Sequence, residues 1–305
     1  DELLVRTAQI DGTKLPPLVA TGTVVGTVLP EVAAALGLRP DVKVVAGTTD
    51  LLTATIGSGA TADHQAHFAV STTTWISAPV ALKKTDILHS IATVPGWQPD
   101  RYVLANNHET AGLCLAWARD SLFGGSFDDL TALAGTAPVG SGGVIFTPWL
   151  SGLRSPVDDR LARGGWHNLS LRSTRADLVR ALLEGVACNT RWLHEHVETF
   201  VGERLDPIRF IGGGAVSDLW CQLHADVMGR RIERVAEPTT AQLRGSALTA
   251  GMAVGALTLQ DAADAVAVER TFVPDERAQA AYEPIYAQFR TLYKRQKSLF
   301  AALNR

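Results

Sequence analysis

Three short stretches bring together residue types that could do chemistry. Asp50 follows the apolar run Val42-Lys43-Val44-Val45-Ala46, closed by Gly47, at the mouth of a helix-like segment. A carboxylate just past the C-terminal end of a strand sits where α/β folds gather their ligands, and there it can take a proton from a hydroxyl as general base. Aspartate also makes a good helix N-cap, and that duty alone would account for it. Ser71-Thr72-Thr73-Thr74 lies between Phe68-Ala69-Val70 and Trp75-Ile76-Ser77, as the hydroxyl-rich tip of a hairpin. Such a tip can cradle phosphate oxygens, or it can be a plain β-turn whose threonines serve strand propensity. Gly212-Gly213-Gly214-Ala215 joins a strand to a helix. Three glycines let a ligand approach the backbone, and the helix N-terminus adds a positive dipole. The same run could be a tight turn that binds nothing, and its spacing fits neither a Rossmann fingerprint nor a P-loop.

Other groups read more simply as structure. His194 and His196 stand two residues apart, do not share a helix face and make a poor metal pair. Asn168-Leu169-Ser170 is a glycosylation sequon only in a secreted protein. Arg290, Lys294, Arg295 and Lys297 read as a solvated helix face.

The elements that must hold these residues alternate between strands and helices. A loop-rich entry covers residues 1–40, with a helix over Glu31 to Leu36 stopped by Gly37. Val42 to Ala46 reads as a buried strand, and Leu51 to Ile56 as a helix ending at Gly57-Ser58-Gly59. An apolar helix is expected from Ala111 to Leu122, and Gly140 to Gly143 opens a strand running to Phe146. The clearest helix starts at Thr174, three residues before Asp177, and repeats apolar residues at the 3.6-residue period through Val197. Pro207 to Ile211 is a strand, and Ser217 N-caps a helix that stops at Gly229. Helices are expected over about 244–255 and 278–303. Short turns between alternating elements argue for α/β layers.

Composition sets the outer bounds. The 305 residues are 46% hydrophobic and 19% charged, enough to bury a large core in about two domains. A formal charge of −3 argues against a nucleic-acid partner, and no apolar run reaches the ~18 residues of a membrane span. Three scattered cysteines fit a reducing cytoplasm better than a disulfide framework. The opening Asp1-Glu2-Leu3-Leu4 has neither an initiator methionine nor a signal-like core, so the chain is expected to begin partway through a longer protein.

Taken in order, these elements resemble the FGGY carbohydrate kinase family, the group of xylulokinase, glycerol kinase and ribulokinase. The longest match runs from Thr147-Pro148-Trp149-Leu150-Ser151-Gly152-Leu153-Arg154-Ser155-Pro156 through Arg163-Gly164-Gly165-Trp166 and Thr174-Arg175-Ala176-Asp177 to Leu183-Glu184-Gly185-Val186-Ala187. Ile211 to Ser217, with Trp220, Gln222 and Asp226, resembles the family's adenosine motif in its xylulokinase-like form. Gly245-Ser246-Ala247 resembles its small-residue helix.

The resemblance implies an α/β, ribonuclease-H-like domain of the actin and hexokinase superfamily, preceded by the remnant of a similar domain. Residues 1–62 would close the first domain and carry the catalytic-aspartate segment, and 63–305 would form the nucleotide-binding second domain. It implies transfer of the γ-phosphoryl group of ATP, with Mg2+, to a sugar or polyol hydroxyl, a xylulose-like ketose being favoured. Asp50 would be the catalytic base. Thr72, with Thr73 beside it, would belong to the phosphate turn. Gly112, five residues before Trp117, would lie near the nucleotide phosphates, Gly213 and Gly214 along the adenosine, and Ser217 or Asp218 beside it. No residue is assigned to a metal. The partners implied are the sugar or polyol, ATP or ADP and the missing first domain, with a homodimer left open.

Three departures from the family pattern stand out. The family's N-terminal phosphate motif is absent. Thr48-Thr49 and Leu51 flank Asp50 where glycines and a polar residue are usual. Ser71 takes a glycine's place, and Thr74 that of another small residue, so a strained turn that crowds the phosphate is expected. These changes motivate a rival reading, a catalytically inactive relative that binds nucleotide as a regulatory module. A non-kinase ATPase of the same superfamily is a third, and the block from Thr147 to Ala187 argues against it.

Overall fold

The entry segment is a string of small elements: α1 (Glu2–Thr7), β1 (Val24–Thr27), α2 (Pro30–Leu36), β2 (Lys43–Val45) and α3 (Asp50–Gly57). The structure, a computed structural model, describes residues 2–304; Asp1 and Arg305 lie outside the described residues. Proline in the first turn and Gly37 at φ 66° bound α2 as expected. The 42–46 run does form a strand, but not a buried one. β2 pairs only with β1 in an isolated antiparallel ribbon, where Lys43 and Val44 are exposed. A two-stranded ribbon has two faces to cover, and this one is exposed along most of its length.

Leu18 is 94% exposed, and Leu3, Leu4, Leu15, Val25, Leu29 and Leu36 are also open to solvent. Apolar surface gathered in one segment drives association. The 305-residue chain is therefore expected to self-associate with rising concentration, with light scattering as the check. A strict monomer at high concentration would show that this surface is not sticky.

β3 (Ala66–Val70) and β4 (Thr74–Ser77) make the expected hairpin, with Phe68 opposite Ile76 and Val70 opposite Thr74. The sequence reading passed over the antiparallel sheet that follows. It comprises β5 (Pro79–Val80), β6 (Thr85–Asp86), β7 (Ile91–Pro95) and β8 (Tyr102–Ala105), in the order β5-β8-β7-β6. α4 (Gly112–Ala118) is shorter than expected, because a π turn at Arg119–Phe123 replaces its last turn and Gly124, at φ 67°, closes it. α5 (Phe127–Gly135) starts on a Ser126–Asp129 capping box. β9 (Ile145–Thr147) begins after a 3-10 turn at Ser141–Gly143 and pairs with β10 (Gly165–His167).

α6 (Arg175–Val201) starts on the expected box. The Thr174 hydroxyl accepts from the Asp177 N–H at 3.2 Å, and the Asp177 carboxylate accepts from the Thr174 N–H at 2.8 Å. Then come β11 (Ile208–Ile211), α7 (Asp218–Met228), β12 (Ile232–Val235), α8 (Ala241–Ala253), α9 (Leu259–Asp264), β13 (Val268–Phe272) and α10 (Glu276–Leu303).

The main sheet runs β13-β12-β11-β3-β4, with β12, β11 and β3 parallel and the two edges antiparallel. Alternation along each strand feeds two cores. Phe68 and Phe210, stacked at 4.1 Å, face the layer that holds Leu183, Leu223 and Phe289. Ala69, Ile211 and Val235 face the other way, onto Leu52, Ile56 and Leu248. α/β layering thus follows, and it brings the ends of β3 and β11 side by side.

Candidate active site

The C-terminal ends of β3 and β11 open on one cleft of about 820 Å³. Of the residues singled out in the sequence, Ser71, Thr72, Gly112, Gly213, Gly214, Ser217 and Asp218 line it. Thr73 does not; its carbonyl accepts from the Ser71 N–H at 3.0 Å across the turn. The Thr72 carbonyl accepts from the N–H of Ala111 at 3.0 Å, which ties the hairpin tip to the start of α4. Gly112 is glycine for the same reason, since a Cβ there would stand 2.2 Å from the Ser71 carbonyl oxygen. The expected strain at Ser71 is absent, because its φ is not positive.

On the facing wall, Gly212 at φ 87° turns the chain out of β11, and its N–H donates to the Pro238 carbonyl at 2.9 Å. Gly214 sits hard against the hairpin, where a Cβ would meet Val70 at 2.8 Å. At Gly213 a Cβ would meet nothing within 4 Å, so the backbone there is bare toward the cleft. Ser217 caps α7 as expected, its hydroxyl accepting from the Trp220 N–H at 3.2 Å. Asp218 is clamped by Arg234 at 2.6 Å and by Arg270. Burial works against the Arg234 charge, but the bond to Asp218 outweighs it and holds the guanidinium pKa above its ordinary value.

Sequence reasoning missed the far wall. Phe127, Asp128 and Thr131 of α5 close it. Ser126 and Asp129, at capping-box spacing, were the signal that could have located that helix.

Asp50 stands elsewhere. It lines a second cleft of about 550 Å³ with Trp75, Asp86, Asn106, Arg154 and Arg160. The β3–β4 hairpin lies between the two clefts, presenting Ser71 and Thr72 to one and Trp75 to the other. The N-cap of α3 is Thr49, whose hydroxyl accepts from the Leu52 N–H at 3.3 Å, so Asp50 is not the cap that its position allowed. One Asp50 oxygen accepts from the Leu51 N–H at 2.8 Å, and the side chain is exposed to the cleft.

The helix that carries Asp50 is locked from behind. At its crossing with α8, a Cβ on Gly57 would lie 1.8 Å from the Ala241 carbonyl oxygen, and one on Gly245 1.8 Å from that of Thr53. Arg244 donates to the Gly57 carbonyl at 2.7 and 2.9 Å and to that of Ala236 at 2.8 Å. A cation at the C-terminal carbonyls of α3 also suits the helix dipole. α3 is thereby tied to the loop whose Pro238 holds Gly212 of the first cleft.

All three cysteines are buried, and burial pushes the Cys114 and Cys221 thiols up to about 12. Among the described residues no group of three or more His, Cys, Asp or Glu is placed to hold a metal ion. No helix is long and apolar enough to cross a membrane.

Residues 42–254 match the model of the FGGY family of carbohydrate kinases, C-terminal domain. The chain is 31% identical over 293 residues to a xylulose kinase of Staphylococcus epidermidis, covering 94% of this chain and 58% of that one. It is 28% identical to a xylulose kinase of Escherichia coli over 98% of this chain and 62% of that one. The chain thus spans about three fifths of the length of the curated relatives it matches. A crystal structure of xylulose kinase from Lactobacillus acidophilus superposes with a TM-score of 0.90 at 25% identity, over 99% of this chain and 61% of that one. A glycerol kinase of Plasmodium falciparum, crystallised with ADP, shares the fold at 20% identity and a TM-score of 0.81, over 94% of this chain and 58% of that one. The fold is α/β and ribonuclease-H-like, that of the actin and hexokinase superfamily, and the chain belongs to the FGGY family of carbohydrate kinases.

Proposed function

We propose that this chain supplies the nucleotide cleft and the general base for ATP-dependent phosphorylation of a sugar or polyol hydroxyl, a xylulose-like ketose being the favoured acceptor. The carrying observation is the convergence of Thr72, Gly112, Gly213, Gly214, Ser217 and Asp218, from three separate segments, on one cleft. Bare backbone at Gly213 leaves room for a flat ligand, and the Thr72 hydroxyl at the hairpin tip suits phosphate oxygens. Thr73, outside the cleft, contributes by holding the turn.

ATP with Mg2+ supplies the phosphoryl group. Asp50 takes the proton of the acceptor hydroxyl while that oxygen bonds to phosphorus and the bond to ADP breaks. A turn on one side of the hairpin and a carboxylate on the other provide positioning, which phosphoryl transfer needs more than covalent help. The division at residue 62 is part of this proposal. It is supported by the exposed apolar side chains crowded into the first 44 residues, as expected for a segment that packs against another lobe.

Calorimetry with Mg-ADP on the 305-residue chain tests the nucleotide half. The wild type should bind, and Gly213→Trp, whose Cβ meets nothing within 4 Å and whose ring would occupy the cleft, should weaken binding by at least about tenfold. Binding that survives the substitution would place the nucleotide elsewhere. No binding by either protein would overturn the nucleotide half of this reading, and with it the rival of an inactive relative that binds nucleotide.

A further inference from the structure

A third cleft, of about 480 Å³, shares no lining residue with the two above. It lies between α10 and the end of the β9–β10 ribbon. Ile285 and Leu292 of α10 face Ile145 of β9 across an apolar floor. Gln288, Thr291 and Arg295, on the same stripe of α10, with His167 of β10 and Asn168 after it, provide its polar groups. Its volume falls within the ~300–1,000 Å³ of ordinary small-molecule pockets.

The charge of this cleft is one-sided. Among the described residues no carboxylate lines it, and the Arg295 guanidinium has neither an ion pair nor a hydrogen bond to any of them. Arg290, five residues earlier, is by contrast paired with Glu195 at 3.4 Å. The sequence reading put Arg295 on a solvated face; the structure puts it at the rim of a cavity. His167 is held by Thr147, with Nε2 3.0 Å from the hydroxyl oxygen, and burial lowers its pKa, so the ring is neutral. Beside it Gln296 has a buried amide oxygen with no partner, while its amide nitrogen lies 3.4 Å from His167 Nδ1. An apolar floor, a free guanidinium and neutral polar groups together match a ligand with a hydrophobic body and one negative head.

We propose that the cleft between α10 and the β9–β10 ribbon is a second small-molecule site, which takes an amphipathic anion bearing a carboxylate, sulfonate or phosphate head. Arg295 binds the head as a fork, and Ile145, Ile285 and Leu292 bind the body. The site does not depend on the phosphotransfer reading.

The test uses 4-(trifluoromethyl)benzoate as probe, followed by fluorine NMR on the 305-residue protein. The wild type should bind it saturably, and the neutral 4-(trifluoromethyl)benzamide about tenfold more weakly. Arg295→Gln, an exposed substitution that leaves the fold in place, should lose about the same factor, with Arg295→Lys in between. Gln288→Trp should block the cleft, and Gly213→Trp should change nothing. Equal binding of the benzoate by wild type and Arg295→Gln overturns the proposal. So does loss of binding in Gly213→Trp, which would locate the probe in the nucleotide cleft, and so does the absence of saturable binding by the wild type.

Discussion

Titrated from neutral pH with acid, this protein should lose stability steeply from about pH 6.5 downward, well above the range where carboxylates alone would drive it. Four histidines are the cause. Burial pulls His67 and His108 down to about 3, and His194 and His224 down to about 4, from an ordinary 6.5. For His67 the neighbouring Arg209 adds to the burial; for His194 the opposing field of Glu198 is too weak to cancel it. Between its native value and about 6.5, each ring is neutral in the fold and protonated once unfolded, so acid favours the unfolded chain. The stability these rings contribute is complete above about 6.5 and is lost as pH falls to about 4 for His194 and His224 and to about 3 for His67 and His108. Each proton gained costs roughly 1–1.5 kcal/mol per pH unit, so four together remove about 5 kcal/mol per unit. At that rate a stability of ~5–15 kcal/mol is used up within about one to three pH units.

The measurement is the denaturant midpoint from pH 8 to 4.5. His224→Phe isolates one contributor. That ring sits 5.0 Å from Phe68 and 5.1 Å from Phe210, and its Nε2 is buried without a partner, so an apolar ring fits the slot. The substitution should flatten the slope below pH 6.5 by about a quarter. A midpoint that stays level from pH 7 to 5 would mean that these rings reach water or partners in the native state.

How much of this was legible beforehand depended on where the information lies. Caps and periodicity are local, so the Gly37 stop of α2, the Thr174 start of α6 and both ends of α7, Ser217 and Gly229, were found, while the end of α6 at Val201 was not. The hairpin tip and the glycine turn were found as isolated candidates. Their meeting in one cleft depends on β3 pairing in parallel with β11 across some 140 residues, which no local pattern encodes. The family resemblance supplied that link.

Burial was the weakest expectation for the same reason. The Val42 to Ala46 run has the composition of a core strand, yet its burial depends on what packs over it, and β2 is exposed. The β5–β8 sheet was missed because two of its strands have two residues each and carry proline or aspartate, which do not read as strand. Arg244 was invisible as well. Nothing in a sequence marks an arginine that will reach back to the carbonyl at the end of a helix 187 positions away.

Glu184 offers the sharpest test of the packing that supports the site, and Glu184→Ala should cost about 3–5 kcal/mol. The family-like block Leu183-Glu184-Gly185 runs through the middle of α6, where Glu184 is buried beside Arg180 at 2.7 Å. Its first oxygen also accepts from the Tyr282 hydroxyl at 2.7 Å and the Gly140 N–H at 3.0 Å, and its second accepts from the Ser141 hydroxyl at 2.7 Å. Arg180 donates in turn to the Ala137 carbonyl at 3.1 Å and to the Tyr282 oxygen at 3.2 Å. One carboxylate thus pins the turn ahead of β9 and the start of α10 onto α6. Removing it leaves the Arg180 charge without its counter-ion and strands the Arg180 Nε–H, the Tyr282 and Ser141 hydroxyls and the Gly140 N–H, and the cost is that of stranding them. Replacing Arg180 with Met in the same protein removes the stranded charge, so the double variant should be more stable than Glu184→Ala alone. Equilibrium urea unfolding at pH 7.5 reads both. A loss below about 1 kcal/mol for Glu184→Ala would mean that water enters the turn and takes over the bonds, and that this part of α6 is less sealed than its burial implies.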